Sequence, residues 1–126
     1  MNEMTTVRLL AAGRVAVGTA LTLLPGATGS LWFGDHAHEP GVKVAIRALG
    51  VRDAVLGLGT LWALANDEPT RGWYAAGAAS DLVDAVATMT ATRHIGLRRA
   101  VPATCVATSS AVLHAGWAIS SDGAPG

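Results

Sequence analysis

Ionisable residues recur inside the apolar stretches of this 126-residue chain. Arg47, Arg52 and Asp53 lie in "RALGVRDAVLG", and Asp81 and Asp84 lie in "SDLVDAV". Two carboxylates three residues apart share one face of a helix. When such carboxyls pack together, one can stay protonated as an acid while the other acts as a base. The aspartate pair is therefore the first candidate for acid–base catalysis.

Arginine suits such carboxylates, because its planar guanidinium donates two hydrogen bonds to one carboxylate. Within the apolar stretches Arg14, Arg47 and Arg52 balance Asp53, Asp81 and Asp84 in charge, which predicts a mutually compensated network. Arg52 and Asp53 are about 100° apart around a helix, so we expect one to point inward and the other to bridge sideways. The candidate catalytic residues are Asp81, Asp84, Arg52 and Asp53, and the candidate substrate-binding residues are Arg14, Arg47, Trp62 and His114.

Four apolar stretches position these residues. Each has close to the roughly 20 residues that a helix needs to cross a bilayer. Turn-forming segments separate them, and aromatic residues lie near their ends, as in a membrane-interface belt: Trp32, Phe33, Trp62, Trp73, Tyr74 and Trp117. The sequence predicts an all-α fold, a four-transmembrane-helix bundle forming one domain over residues 1–126, with helices at about 7–24, 43–65, 72–92 and 100–119.

Composition favours the membrane. Charged residues make up 14% of the chain, against roughly 25% in soluble domains. The alternative is a soluble four-helix bundle, but the chain lacks the charged outer stripe of such helices. Arg14 interrupts the first apolar stretch, so we expect no cleaved signal peptide. We expect a multi-pass protein of the plasma (inner) membrane, with the lipid bilayer and a hydrophobic small molecule as partners and a homodimer as a further expectation.

The distribution of basic residues predicts the orientation. Lys43, Arg93, Arg98 and Arg99 lie near one side, while Arg8 and Arg71 lie near the other. Because basic residues favour the cytoplasmic side, the 25–42 and 93–99 loops are expected inside the cell and both termini outside. Small residues at every fourth position, such as Gly50 and Ala54, indicate close helix packing.

Several function classes are excluded or disfavoured. Nine basic and nine acidic residues balance, so no net field attracts nucleic acid. The single Cys105 excludes an intrachain disulfide and multi-cysteine metal motifs. No phosphate-binding glycine loop or haem motif occurs, so we expect no cofactor. His36 and His38 in "DHAHE" could bind a metal, but such clusters are more typical of solvated turns, and no metal site is predicted.

The segments "LGVRDAVLGLGTLWAL" and "AAGAASDLVDAVATM" resemble a family of small four-helix integral membrane proteins of unknown function, common in actinobacteria. The marks of the resemblance are Gly50-Val51-Arg52-Asp53 and the Asp81/Asp84 pair. It implies the membrane fold and emphasises these positions without implying an activity. The arginine-plus-two-aspartate set is also similar to that of limonene-type epoxide hydrolases, as an analogy of chemistry and not of fold.

Three functions fit these residues. The first is a membrane-embedded acid–base enzyme (an epoxide hydrolase, isomerase or cyclase) acting on a lipophilic small molecule. The second is a small proton-coupled transporter or channel in which the aspartates carry protons. The third is a structural or accessory membrane protein whose charge network only fixes helix packing. The enzyme is favoured, because the network combines both charge signs.

Overall fold

The computed structural model of the chain describes residues 2–91, 93 and 96–120. Over these residues it has no strand and consists of five α-helices and one 3-10 helix: α1 (Glu3–Leu23), α2 (Pro25–Phe33), the 3-10 helix (Gly34–His38), α3 (Pro40–Ala65), α4 (Arg71–Thr90) and α5 (Leu97–Ser120). The all-α prediction is confirmed. The backbone packs as two compact units, Met1–Glu68 and Pro69–Gly126.

Helix starts in the first unit follow from local chemistry. The side chain of Asn2 accepts a hydrogen bond from the Thr5 amide at 2.8 Å and so caps α1. Pro25 and Pro40 begin α2 and α3, where the missing N–H of proline costs nothing and its fixed φ suits a helix. Because polar residues and prolines can begin a helix in this way, the helices extend beyond the apolar stretches.

The prediction of a loop over residues 25–42 is wrong. Most of this segment is helical, first as α2 and then as the 3-10 helix, before α3 begins at Pro40. Pro25 follows the end of the first apolar stretch, but it is also the first residue of α2, a position that proline favours. Gly34 separates α2 from the 3-10 helix with a φ of 57°, which glycine adopts without strain.

The turn after α3 ends that helix sharply. Asp67 has a φ of 54°, the left-handed conformation common just after a helix. The next amide, that of Glu68, donates to the Ala63 carbonyl at 2.9 Å and satisfies one of the last helical acceptors. Pro69 follows and cannot continue the helix. Residue 92, the predicted end of the third helix, and residues 94 and 95 of the predicted 93–99 loop lie outside the described residues.

The backbones of α1 and α3 touch in the first unit. A methyl group placed on Gly18 would lie 2.5 Å from both the Ala54 nitrogen and the Gly50 oxygen. One placed on Gly50 would lie 2.6 Å from the Gly18 oxygen, and one on Gly57 would lie 2.6 Å from the Ala11 oxygen. The close packing predicted from the small residues therefore exists between α1 and α3, and it depends on glycine at three positions.

Leu21 and Ile46 are buried together with many alanines, while other large apolar side chains face outward. The buried apolar residues include Ala37, Ala63 and Ala85, and no large described side chain is fully buried. Leu31, Val106 and Ile119 are 81%, 70% and 74% exposed. Apolar surface of this extent is typical of a face that contacts lipid or another protein.

Two helices, α1 and α3, are long and apolar enough to cross a membrane. Each contains an 18-residue window with a mean hydropathy of 1.3. Only 22% and 28% of these windows are buried, so neither is the enclosed core helix of a globular protein. The described part of the chain therefore carries two candidate spans, both in the first unit.

Candidate functional site

The first unit brings together three of the predicted charged residues. The Asp53 Oδ1 atom lies 3.5 Å from Arg14 Nε and 3.1 Å from Arg52 Nη2. The side chains of Arg14 and Asp53 are only 11% and 16% exposed, and that of Arg52 is 30% exposed. One carboxylate oxygen thus links α1 to α3 and also holds the arginine beside it in the sequence.

Asp53 bridges to the neighbouring helix, as predicted for one of the two residues, but Arg52 turns back onto Asp53 and does not point away from it. Their Cα–Cβ directions differ by about 100°, but the arginine side chain is long enough to turn back. Both Nε, at 3.4 Å, and Nη2, at 3.1 Å, donate to Asp53 Oδ1. Neighbouring residues of one helix therefore contact each other here, because the arginine side chain is long enough to span the angle between them.

Two other predicted binding residues of this unit have different surroundings. Arg47 is exposed, and its Nε donates to the Thr22 carbonyl at 3.2 Å, near the end of α1. The first unit thus uses Arg47 to satisfy one of the last carbonyls of a helix. Trp62 is 58% exposed on α3.

The second unit pairs Asp81 with His114. Asp81 Oδ2, on α4, lies 3.4 Å from His114 Nδ1, on α5, and the side chains are 8% and 13% exposed. Asp81 is one of two buried polar or charged side chains in the described part of the chain. Asp84, one turn further along α4, is half-buried, and its prediction as a catalytic residue stays a prediction.

The contacts of His114 assign its tautomer. Nδ1 lies 2.8 Å from the Ser110 carbonyl oxygen, which can only accept a hydrogen bond. The ionised Asp81 carboxylate, with Oδ2 at 3.4 Å, offers no donor to this nitrogen, and the Ser110 hydroxyl oxygen at 3.3 Å can accept. The proton of the neutral ring therefore belongs on Nδ1, which leaves the lone pair on Nε2.

Two aromatic rings lie beside His114. The ring centroids of Tyr74 and Trp117 lie 6.4 and 5.8 Å from that of His114, and 5.8 Å from each other. The Trp117 and His114 planes are nearly perpendicular, at 89°. Tyr74 is buried, whereas Trp117 is half-buried. We call Tyr74, His114 and Trp117 the ring cluster.

Sequence reasoning missed part of this arrangement. Tyr74 and Trp117 were predicted only as interface residues, and Ser110 was not singled out. The signal was available, because Ser110, His114 and Trp117 follow one another at intervals of four and three residues. That spacing places all three on one face of a helix.

The histidines near α2 form a smaller contact. His36 Nδ1 lies 2.6 Å from Glu39 Oε1, and both side chains are largely exposed. Within the described ranges, no group of three or more histidine, cysteine, aspartate or glutamate side chains is placed to hold a metal ion. This pair bridges the turn between the 3-10 helix and α3.

No family model, curated protein or solved structure matches the chain. The resemblance to small four-helix membrane proteins therefore rests on the quoted segments alone and stays a prediction.

Proposed function

We propose that the protein is a multi-pass protein of the plasma membrane that catalyses proton transfer on a lipophilic small molecule. Asp81 and His114 are the proposed acid–base pair. The observation that carries the proposal is the contact between the Asp81 carboxylate and His114 Nδ1 inside an apolar helix pair. Opening of an epoxide, isomerisation and cyclisation are the reaction types that such a pair would serve.

The exposed apolar surface supports the membrane part of the proposal. Large apolar side chains cover the outside of both units, whereas alanine and glycine occupy much of the interior. Lipid is the solvent in which such a surface costs no free energy. Together with the two candidate spans in the first unit, this favours insertion of the whole chain as four crossing helices, α1, α3, α4 and α5.

The geometry of His114 supports proton transfer. With Nδ1–H donating to the Ser110 carbonyl at 2.8 Å and Asp81 Oδ2 3.4 Å from the same nitrogen, the ring is held in one tautomer and Nε2 can accept a proton. The negative carboxylate then stabilises the imidazolium that forms, and the same Nε2–H can return the proton later. Asp81 positions and stabilises the base, and His114 exchanges the proton with the substrate.

The Arg14–Asp53–Arg52 cluster fits a structural role better. Its short contacts tie α1 to α3 at the level where the two backbones touch. A guanidinium held by a carboxylate in this way fixes the register of two weakly hydrophobic helices. We propose that the catalytic role predicted for Arg52 and Asp53 is instead a packing role.

The test is turnover of lipophilic epoxides and polyenes by the purified protein in lipid nanodiscs. Asp81→Asn and His114→Gln should each lower the rate by roughly 10²–10⁴-fold, the usual contribution of an acid–base group. The matched controls are Asp67→Asn and His38→Gln, which change exposed side chains of the first unit. Wild-type rates in the Asp81 and His114 variants would overturn the catalytic assignment. So would variants that fail to fold, because the two residues would then be needed for the structure and not for turnover.

Proton-coupled transport is a second candidate. Asp81 lies ten residues into the 20-residue helix α4, about halfway along a crossing helix. Carboxylates at that depth often mark proton paths in membrane proteins. Proteoliposomes loaded with a pH-sensitive dye would then show proton entry under an imposed gradient, and Asp81→Asn would abolish it. Proton entry equal to that of protein-free liposomes would refute transport.

A further inference from the structure

Two basic residues of α3 reach over the junction between α1 and α2. Arg47 Nε donates to the Thr22 carbonyl at 3.2 Å, close to the end of α1. Lys43 lies one turn earlier on α3 and shares this face of the helix. A methyl group placed on Gly26, in the first turn of α2, would lie 3.6 Å from Lys43 Cε and 2.9 Å from His38 Nδ1. The lysine, the arginine and the imidazole therefore lie beside one junction.

The two cations have no carboxylate partner in the described part of the chain. No carboxylate oxygen there lies within 4 Å of the Lys43 ammonium or the Arg47 guanidinium. The connection before α3 carries two carboxylates, Asp35 and Glu39, but Glu39 contacts His36. The N-terminal end of the α2 dipole is positive and adds potential of the same sign at the junction. The arrangement therefore suits an anion that comes from outside the first unit.

The pair lies where a membrane-crossing helix would meet the lipid headgroups. Lys43 and Arg47 are three and seven residues from the start of α3, one of the two candidate spans. At a rise of about 1.5 Å per residue, they are roughly 4.5 and 10 Å along the helix. Leu23 and Leu24, which follow Thr22 at the end of α1, are 69% and 60% exposed. Basic side chains beside exposed leucines fit a phospholipid, which has an anionic phosphate and apolar chains.

We propose that Lys43 and Arg47 bind the headgroup of an anionic phospholipid of the bilayer. The phosphate oxygens accept hydrogen bonds from the Lys43 ammonium and from the terminal nitrogens of Arg47, which donate to no described residue. The acyl chains lie along Leu23 and Leu24. Basic pockets at the ends of crossing helices recognise anionic headgroups in this way. The site is separate from the proposed acid–base pair and rests only on the membrane insertion proposed above.

Native mass spectrometry of the purified protein in a non-ionic detergent measures the affinity for dioctanoylphosphatidylglycerol and for dioctanoylphosphatidylcholine. These lipids have the same chains, but only the first carries a net negative charge. The wild type should prefer it at least about fivefold, and Lys43→Gln and Arg47→Gln should each lower its affinity about fivefold, as expected for loss of one basic contact. Arg8→Gln is the matched control, because it removes the same charge from an exposed residue near the other end of α1, and it should bind like the wild type.

Two further arms test the charge and the acyl chains. Lys43→Arg and Arg47→Lys keep the charge and should keep the preference for phosphatidylglycerol. Glycerol 1-phosphate, which lacks the chains, should not displace the lipid. Equal affinity for the two lipids, wild-type binding by both glutamine variants, displacement by glycerol 1-phosphate or no lipid binding would each overturn the proposal. If Arg47→Gln does not fold, Lys43→Gln decides, because the Lys43 side chain makes no hydrogen bond within the described residues.

Failure of membrane insertion is recognised by a separate measurement. Alkaline carbonate releases peripheral proteins from isolated membranes and leaves inserted ones behind. Release of this protein would reject the insertion on which the lipid site depends. Retention without a preference for phosphatidylglycerol would reject the lipid site alone and leave the proposed function intact.

Discussion

Two glycines of α1 provide a direct test of the contact with α3. Gly18 faces the backbone of α3, where an added methyl carbon would lie 2.5 Å from the Ala54 nitrogen and the Gly50 oxygen. Gly13 lies on the same helix, and an added methyl carbon there would meet no atom within 4 Å. Replacing each by alanine makes the same chemical change in opposite surroundings.

The expected free energies follow from these distances. Carbon contacts are favourable at about 3.5–4.0 Å, so Gly18→Ala must move the two helices apart by about 1 Å. Because the opposing atoms are backbone and cannot rotate away, we expect a loss near the upper end of the usual overpacking range, about 3 kcal/mol. Gly13→Ala should gain up to about 1 kcal/mol, because alanine is the better helix former.

The assay is thermal unfolding of both variants in the same detergent, followed by circular dichroism. For a chain of this size, Gly18→Ala should melt roughly 10 °C below the wild type and Gly13→Ala a few degrees above it. If Gly18→Ala melts at or above the temperature of Gly13→Ala, α1 and α3 do not approach as described. The Arg14–Asp53 contact, which requires the same approach of α1 and α3, would then be absent as well.

Two further predictions concern the charge cluster and the orientation. Asp53→Asn should destabilise the protein by about 3 kcal/mol, because it removes the negative partner of two guanidinium groups. Asp35→Asn, an exposed change, is its control in the same melting experiment, and equal melting of the two would contradict a packing role. With Cys105 replaced, single cysteines near both termini should react with an impermeant thiol reagent from outside intact cells. Labelling that occurs only after lysis would show that both termini lie in the cytoplasm and would reverse the predicted orientation.

The helical architecture was largely accessible from the sequence, because apolar length and turn residues report directly on helices. The third predicted helix, 72–92, compares with Arg71–Thr90, and the fourth, 100–119, compares with Leu97–Ser120. The predicted helix bounds are wrong where polar residues or prolines form part of a helix. Asn2 extends α1 towards the N-terminus, and Pro25 begins a helix that hydropathy cannot reveal.

The candidate site could be predicted only in part from the sequence, because the type of a residue does not reveal which other side chains it contacts. The Arg14–Asp53 and Asp81–His114 contacts join residues that are 39 and 33 positions apart, and no local pattern specifies such pairs. The charge balance did indicate pairing between arginine and aspartate. It could not indicate that Arg52 turns back onto its neighbour or that Ser110 orients the imidazole, since both depend on rotamers and helix packing.

The division at Glu68 and Pro69 has a consequence for biogenesis. Among the described residues, both candidate membrane spans, α1 and α3, lie in the half of the chain that is synthesised first. Ionisable groups, which oppose insertion from the translocation channel, occur in both halves, but over its described residues neither α4 nor α5 of the later half is long and apolar enough to be a candidate span. We therefore expect the first hairpin to insert before the second, so that a nascent chain whose first hairpin has left the ribosome is already anchored in the membrane.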